Sequence, residues 1–130
     1  MIVCDHTQLP VIYITFVESD WKHADYKKFI NTMEQLLVEA ACQNTPVKFL
    51  IQGNPDCKIK QSIPYTFYAW IICDIIRMKP LFINGLEKTA LYTPTDNMDF
   101  FLDMLFKVYT PSRPLKRFYD QSAALAWLRL

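Results

Sequence analysis

The sequence predicts an α/β fold in which a mostly parallel, mixed sheet of about five strands is combined with four helices. Two observations predict this class. Short segments rich in β-branched and aromatic residues alternate with longer segments whose apolar residues recur every three or four positions. The 130 residues are also 52% hydrophobic, enough for a core that needs neither metal nor disulfide. We therefore expect a single domain over residues 1–130, in the order β-β-α-β-α-β-α-β-α.

Five segments are predicted as strands. The run VIYITFV is interrupted by a single polar residue, Thr15, and such a run is typical of a strand buried on both faces. The charged segment LKRFY is predicted to be an edge strand. We expect the first strand to run antiparallel to the second and the others to be parallel with right-handed crossovers. The predicted strands are 2–4, 11–17, 47–51, 89–93 and 115–119.

Four segments are predicted as helices. Apolar residues from Tyr26 to Ala41 recur at three- and four-residue spacing, which indicates an amphipathic helix of about five turns. Pro64 suits the start of the next helix because its missing N–H would be unpaired there. Asp120 is placed to cap the last helix. The predicted helices are 26–41, 64–78, 98–109 and 121–128, with Pro80 limiting the second and a turn or helix stop at 84–85.

The counts of glycine, histidine and cysteine exclude several kinds of site. Only Gly53 and Gly85 are present, whereas an average usage of ~7% would give about nine glycines. A dinucleotide fingerprint needs three glycines within six residues, and phosphate-binding loops and nucleophile elbows need two. His6 and His23 do not have the spacing of a helical zinc site, and the four cysteines contain no C-x-x-C pair. We therefore expect a non-catalytic protein with no cofactor and no metal.

The net charge and the N-terminal residues indicate which partners and which compartment to expect. Fourteen basic and thirteen acidic residues give a net charge of +1, which supplies no case for nucleic acid or a membrane surface. The N-terminus has no basic region or long apolar stretch, and charged residues interrupt the most apolar helix, so neither a signal peptide nor a transmembrane segment is expected. We expect a cytoplasmic protein with reduced thiols.

One cysteine is a candidate for chemistry. Cys57 lies in a predicted polar loop beside two lysines, which would stabilise a thiolate. A catalytic cysteine also needs a base, and only His6 and His23 are available. An inert loop residue is the favoured interpretation, and a redox-sensitive thiol or a nucleophile is the alternative. Cys4, Cys42 and Cys73 lie in apolar stretches and are interpreted as small core residues.

The C-terminal third resembles a known family. The segment 113–118 (RPLKRF), followed by 120–128 (DQSAALAWL), is similar to the edge strand, capped turn and A-L-x-W-L helix of SpoIIAA-like STAS domains. The predicted element order resembles that fold along the whole chain. The resemblance implies a regulatory domain that binds protein partners. Phosphoswitch members carry an Asp-Ser-Ser/Thr-Gly-like turn after the second buried strand; here that loop is longer, and Ser62 is the candidate phosphorylation site.

The predicted helix 64–78 has a wide apolar face and a polar remainder. On a helical wheel its apolar residues span about 200°. The remaining arc carries Thr66, Trp70, Asp74 and Arg77, with Cys73 at its border. Trp70 either lies over Arg77 as a local cover or is shielded by a loop, or it is a binding anchor, since Trp and Arg are enriched in hot spots. In STAS domains this helix flanks the partner surface, which favours the anchor.

Basic residues are concentrated near the C-terminus. Lys107, Arg113, Lys116 and Arg117, with Arg129, occupy the last 24 residues, where Asp120 is the only acid. Clustered in space, they would bind a phosphate, an acidic partner or an anionic headgroup. The alternative is a solvated edge whose charges prevent pairing between sheets.

These observations lead to two hypotheses about function. The first is a small regulatory domain that docks a protein partner, or a second copy of itself, through loop 54–60 and the helix that follows. The alternative is a carrier or sensor of an apolar ligand or lipid, supported by the 15% aromatic content and by Phe100 and Met104, which lie off the apolar face of the third helix. The predicted contact residues of the first hypothesis are Ser62, Thr66, Trp70, Cys73, Asp74 and Arg77.

Overall fold

A five-stranded sheet with helices on both faces organises the chain. The computed structural model describes residues 2–16, 22–53, 65–92, 107 and 111–130. The α/β class and the mixed five-stranded sheet are confirmed. The elements are β1 (Ile2–Asp5), β2 (Val11–Phe16), α1 (His23–Cys42), β3 (Val47–Gly53), α2 (Tyr65–Arg77), α3 (Lys79–Gly85), β4 (Leu86–Tyr92), β5 (Leu115–Phe118) and α4 (Gln121–Leu128).

The strands follow one another across the sheet in chain order, β1-β2-β3-β4-β5. β1 runs antiparallel to β2, and the remaining pairs are parallel, as predicted. Leu50 at the centre of β3 stands opposite Tyr13 on one side and Ala90 on the other. β5 pairs with β4 alone among the described strands, which agrees with its prediction as an edge.

Helices α1, α2 and α3 cover one face of the sheet. Ile12, Ile14 and Phe49, at alternate positions of β2 and β3, point into this core because successive side chains of a strand point to opposite faces. The amphipathic pattern of α1 is confirmed, since its apolar stripe is buried. The buried residues of α1 are Tyr26, Ile30, Met33, Leu37 and Ala40.

Helix α4 covers the other face, over β3 and β4. Leu50 and Ala90 are buried there against Ala124 and Leu128 of the helix. Asp120 caps α4 as predicted, its Oδ2 accepting a hydrogen bond from the Ala123 backbone N–H at 3.2 Å. The cover is incomplete over β2, where alternate side chains are only half-buried. The expectation that both faces of β2 are fully buried was therefore wrong.

The segment between α2 and β4 differs from the sequence expectation. Pro80 does not only limit the second helix; it lies in the first turn of a further helix, α3, where its missing N–H costs nothing. Gly85 ends that helix close to α1, and a Cβ there would lie 2.5 Å from the Leu37 carbonyl oxygen. β4 consequently begins at Leu86, three residues earlier than predicted. The helix predicted at 98–109 lies outside the described residues except for Lys107.

Candidate functional site

The inner side of α2 is a stripe that combines apolar residues with one carboxylate. Phe67 and Met78 are buried, Trp70 is half-buried, and Asp74 is only 8% exposed. The sequence placed Asp74 on an open polar side and Ile76 in the apolar arc, and both placements were wrong. Ile76 is 55% exposed. The helix is rotated relative to the wheel, because Tyr26 of α1 and Arg77 of α2 donate hydrogen bonds to the buried Asp74 carboxylate.

Those partners form a polar cluster between α1 and α2. The Tyr26 hydroxyl donates to Asp74 Oδ2 at 2.6 Å, and Tyr26 is fully buried. Arg77 Nε and Nη2 donate to Asp74 Oδ1 at 3.1 and 2.9 Å, and Nη2 also pairs with the Glu34 carboxylate. Asp74 is therefore bonded on both oxygens, as a buried charge requires. These four residues are called the α1–α2 polar cluster.

The cluster has a defined protonation pattern. Burial raises the pKa of Asp74, but the hydrogen bonds from Tyr26 and Arg77 outweigh it and hold that pKa below its ordinary value. Burial, together with the neighbouring carboxylate, raises the pKa of Tyr26. Hydrogen bonds to Asp74 and Glu34 raise the pKa of the Arg77 guanidinium. A neutral phenol, a charged carboxylate and a charged guanidinium at neutral pH suit a structural role, because proton transfer needs a group that titrates near the working pH.

Trp70 packs beneath the first turn of α1. Its ring centroid lies 4.5 Å from that of His23 and 5.5 Å from that of Tyr26, and Tyr26 meets Phe67 edge-on at 5.6 Å. The sequence interpretation placed Trp70 over Arg77 or under a loop, whereas its ring neighbours among the described residues belong to α1. The interpretation of Trp70 as a binding anchor stays a prediction.

The opposite side of α2 is exposed and largely apolar. Its exposed residues span about 100° of the helical wheel at 3.6 residues per turn. Three of the predicted contact residues, Thr66, Cys73 and Arg77, lie in this arc. Ser62 and loop 54–60 lie outside the described residues. The arc is called the α2 outer face and comprises Thr66, Ala69, Cys73, Ile76 and Arg77.

The predicted cationic residues do not all point the same way. Arg113 donates to the Ile83 backbone carbonyl of α3. Lys116 and Arg117 are consecutive residues of β5 and therefore point to opposite faces of the sheet. Their charged groups lie over aromatic rings of the same segment, Phe118 at 5.3 Å and Tyr119 at 4.7 Å respectively. Lys107 is exposed, and the candidate anion site stays a prediction.

The described cysteines occupy different environments. Cys42 and Cys73 are exposed, so their interpretation as core residues was wrong. Cys4 is half-buried, 3.8 Å from the Met33 sulfur, and burial followed by the charge of Asp5 raises the pKa of its thiol. Cys57 lies outside the described residues. Within the described ranges, no three His, Cys, Asp or Glu side chains form a group that could hold a metal.

A groove of about 480 Å³ opens beside the C-terminal half of α1. Its walls are mainly apolar, and Leu9, 57% exposed, forms part of the rim. Its volume lies within the ~300–1,000 Å³ of small-molecule sites. The lining residues are Leu9, Pro10, Leu36, Glu39, Ala40, Gln43, Thr45, Pro46 and Val47.

Sequence reasoning missed two members of the polar cluster, Tyr26 and Glu34. Tyr26 was counted as an apolar residue of the α1 stripe, and its partner Asp74 lies 48 positions away in the sequence. A tyrosine within an apolar stripe is the signal that points to such a partner, because a buried phenol usually finds a hydrogen-bond acceptor.

Comparisons of this chain with protein families, with curated proteins and with solved structures find no match. None of the helices in the described part of the chain is long and apolar enough to cross a membrane.

Proposed function

We propose that this chain is a small, non-catalytic regulatory domain of STAS type that docks a protein partner through the α2 outer face and segment 54–60, which the sequence predicts to be a loop. The observation that carries this proposal is the combination of a large apolar side chain and a guanidinium on one exposed helix face. Ile76 is 55% exposed, and the Arg77 side chain is 53% exposed. The buried core of an interface is more apolar than the rest of the surface, and arginine is enriched there and among hot-spot residues.

The inner side of α2 supports the proposal by fixing the outer face in position. Asp74 is bonded to Tyr26 of α1, and Trp70 packs against His23 and Tyr26. A rigid surface loses less conformational freedom on binding than a mobile one. In this account Trp70 and Asp74 act by positioning α2, whereas Thr66, Cys73 and Arg77, together with Ile76, touch the partner.

The fold supports the STAS assignment. The strands run across the sheet in chain order, and the edge strand β5 leads through the Asp120 cap into α4, the region in which the sequence resemblance lies. The exposed thiols of Cys42 and Cys73 suit a reducing compartment, and we place the proposed activity in the cytoplasm.

Site-specific photo-crosslinking tests the docking proposal. A photoreactive amino acid is placed at Ile76 or, as a matched control, at Val3, which is 51% exposed on β1. Crosslinked products from cells of the source organism are identified by mass spectrometry. The proposal predicts one protein captured at position 76 and not at position 3. Equal or absent capture at the two positions would contradict it.

The groove favours a second candidate function, that of a carrier of an apolar ligand. Its lining is mainly apolar, and the exposed Leu9 at its rim tolerates substitution without disturbing the core. Native mass spectrometry of the purified chain then shows an added mass of a few hundred daltons that is lost on denaturation. Leu9→Asp removes this added mass. An unmodified mass for both proteins, after exposure to a fatty acid mixture, rejects the carrier function.

A further inference from the structure

The two edges of the sheet differ in how they are protected. β5 carries two adjacent cations, Lys116 and Arg117, and Pro114 precedes it. Charged residues and proline are features that keep an edge strand from pairing with another chain. β1 has neither at its start: the first three residues of Ile2–Asp5 are uncharged, and their register with β2 runs without a shift. Among the described strands β1 pairs with β2 alone, so the β1 edge is the one suited to accept a further strand.

β1 is also held in a fixed position on one side. Ile2 and Cys4 pack against the core beneath α1, and Cys4 Sγ lies 3.8 Å from the Met33 sulfur. Val3, between them, points to the other face of the sheet and is 51% exposed. A strand that is anchored in this way has already lost much of the backbone freedom that pairing would cost. β1 therefore presents a preformed edge with an exposed apolar side chain.

The single charge of β1 favours an antiparallel second strand, and a second copy of β1 provides one. Opposite residues of neighbouring strands lie on the same face, so Val3 can face Val3 of the second copy across a two-fold axis. In that register the two Asp5 carboxylates are about 13 Å apart along the strands, beyond the Debye length of ~8 Å. In-register parallel pairing would instead bring them to about 5 Å.

We propose that two copies of this chain associate through β1, in an antiparallel, two-fold symmetric pairing that joins their sheets into one. The second copy contributes β1 and not β5, because the cations of β5 and the preceding proline disfavour pairing there. Contacts between β1 and β5 would also leave a free edge at each end and extend into a filament, whereas pairing of β1 with β1 closes. This inference goes beyond the docking function, since it uses β1 and not α2.

Analytical ultracentrifugation of the full chain over a series of concentrations tests the association. We expect a reversible monomer–dimer equilibrium for the wild type and for the control Val38→Lys, which adds the same charge at a 45% exposed position of α1. Val3→Lys removes the apolar contact and places two ammonium groups opposite each other, so its dissociation constant should rise at least ~10-fold. Ile76→Glu should dimerise like the wild type. A wild type that stays monomeric, or a folded Val3→Lys that dimerises equally well, overturns the proposal.

Hydrogen exchange and photo-crosslinking identify the contact. In the wild type the exchange of the β1 amides should slow as the protein concentration rises, which tests the pairing even if circular dichroism shows that Val3→Lys does not fold. A photoreactive amino acid at position 3 of the purified chain should give a covalent dimer of the chain, and the same group at position 38 should not. Dimers that Ile76→Glu disrupts, or that form without protection of the β1 amides, place the contact on another surface and overturn the inference.

Discussion

Replacing Tyr26 with phenylalanine tests the structural basis of the α2 surface. The substitution keeps the ring that packs against Phe67 and Trp70 and removes only the hydroxyl that donates to Asp74 at 2.6 Å. A hydrogen bond to a charged group contributes about 1.5–3 kcal/mol to stability. Asp74 is only 8% exposed, so water replaces the lost donor poorly. We expect Tyr26→Phe to lower the free energy of unfolding by about 2 kcal/mol.

Urea denaturation at pH 7, followed by circular dichroism, measures this loss, and a thermal melt would shift by about 8 °C. Tyr13→Phe is the matched control, because the Tyr13 hydroxyl makes only an exposed contact of 3.5 Å with Gln8. Its effect should stay within about 0.5 kcal/mol, as for surface substitutions generally. If Tyr26→Phe lowers the free energy of unfolding no more than Tyr13→Phe does, the α1–α2 polar cluster does not hold α2 in position.

Three further predictions concern stability. The pKa of Asp74 is lower in the folded than in the unfolded chain, so its carboxylate stabilises the fold above an ordinary pKa of about 3.9, and this contribution is lost as the pH falls through the folded pKa. The difference in free energy of unfolding between the wild type and Asp74→Asn, measured by urea denaturation, should therefore become smaller below about pH 4. A difference that stays constant with pH would argue against the hydrogen bonds of Asp74 with Tyr26 and Arg77. Gly85→Ala should lower the free energy of unfolding, measured by chemical denaturation, by about 3 kcal/mol, because the new Cβ meets the Leu37 backbone oxygen. An unchanged free energy of unfolding would show that α3 does not pack closely against α1 at this position. Lys88→Met should lower the free energy of unfolding by about 1.5 kcal/mol, because it removes the 2.6 Å hydrogen bond to the Trp127 carbonyl and the cation–π contact with the Trp127 ring. An unchanged midpoint of denaturation would show that Lys88 does not stabilise the fold in this way.

Elements defined by local signals could be predicted from the sequence. The apolar runs that became β2 and β3, the periodic stripe of α1 and the Asp120 cap of α4 depend on neighbouring residues alone. The antiparallel pairing of β1 with β2 and the edge position of β5 could be predicted from the order of the segments along the chain. In each case the backbone preference and the hydrophobic pattern agree, so tertiary contacts had nothing to override.

The rotation of α2 could not be predicted because it depends on a distant partner. A helical wheel treats Asp74 as polar and therefore exposed, whereas the Tyr26 hydroxyl and the Arg77 guanidinium make its burial favourable. Cys73 and Ile76 then face outward as a consequence. The helix α3 was missed for a different reason, since Pro80 can either end one helix or occupy the first turn of the next.

In the proposed function α2 presents its outer face to a protein partner, and a comparison of two dissociation constants tests this role. The partner captured at position 76 is purified, and isothermal titration calorimetry measures its binding to Ile76→Glu and to the equally exposed control Val3→Glu. We expect Ile76→Glu to bind at least ~30-fold more weakly than the wild type, as for a hot-spot residue, and Val3→Glu to bind as the wild type does. Equal affinities for the two variants would contradict it.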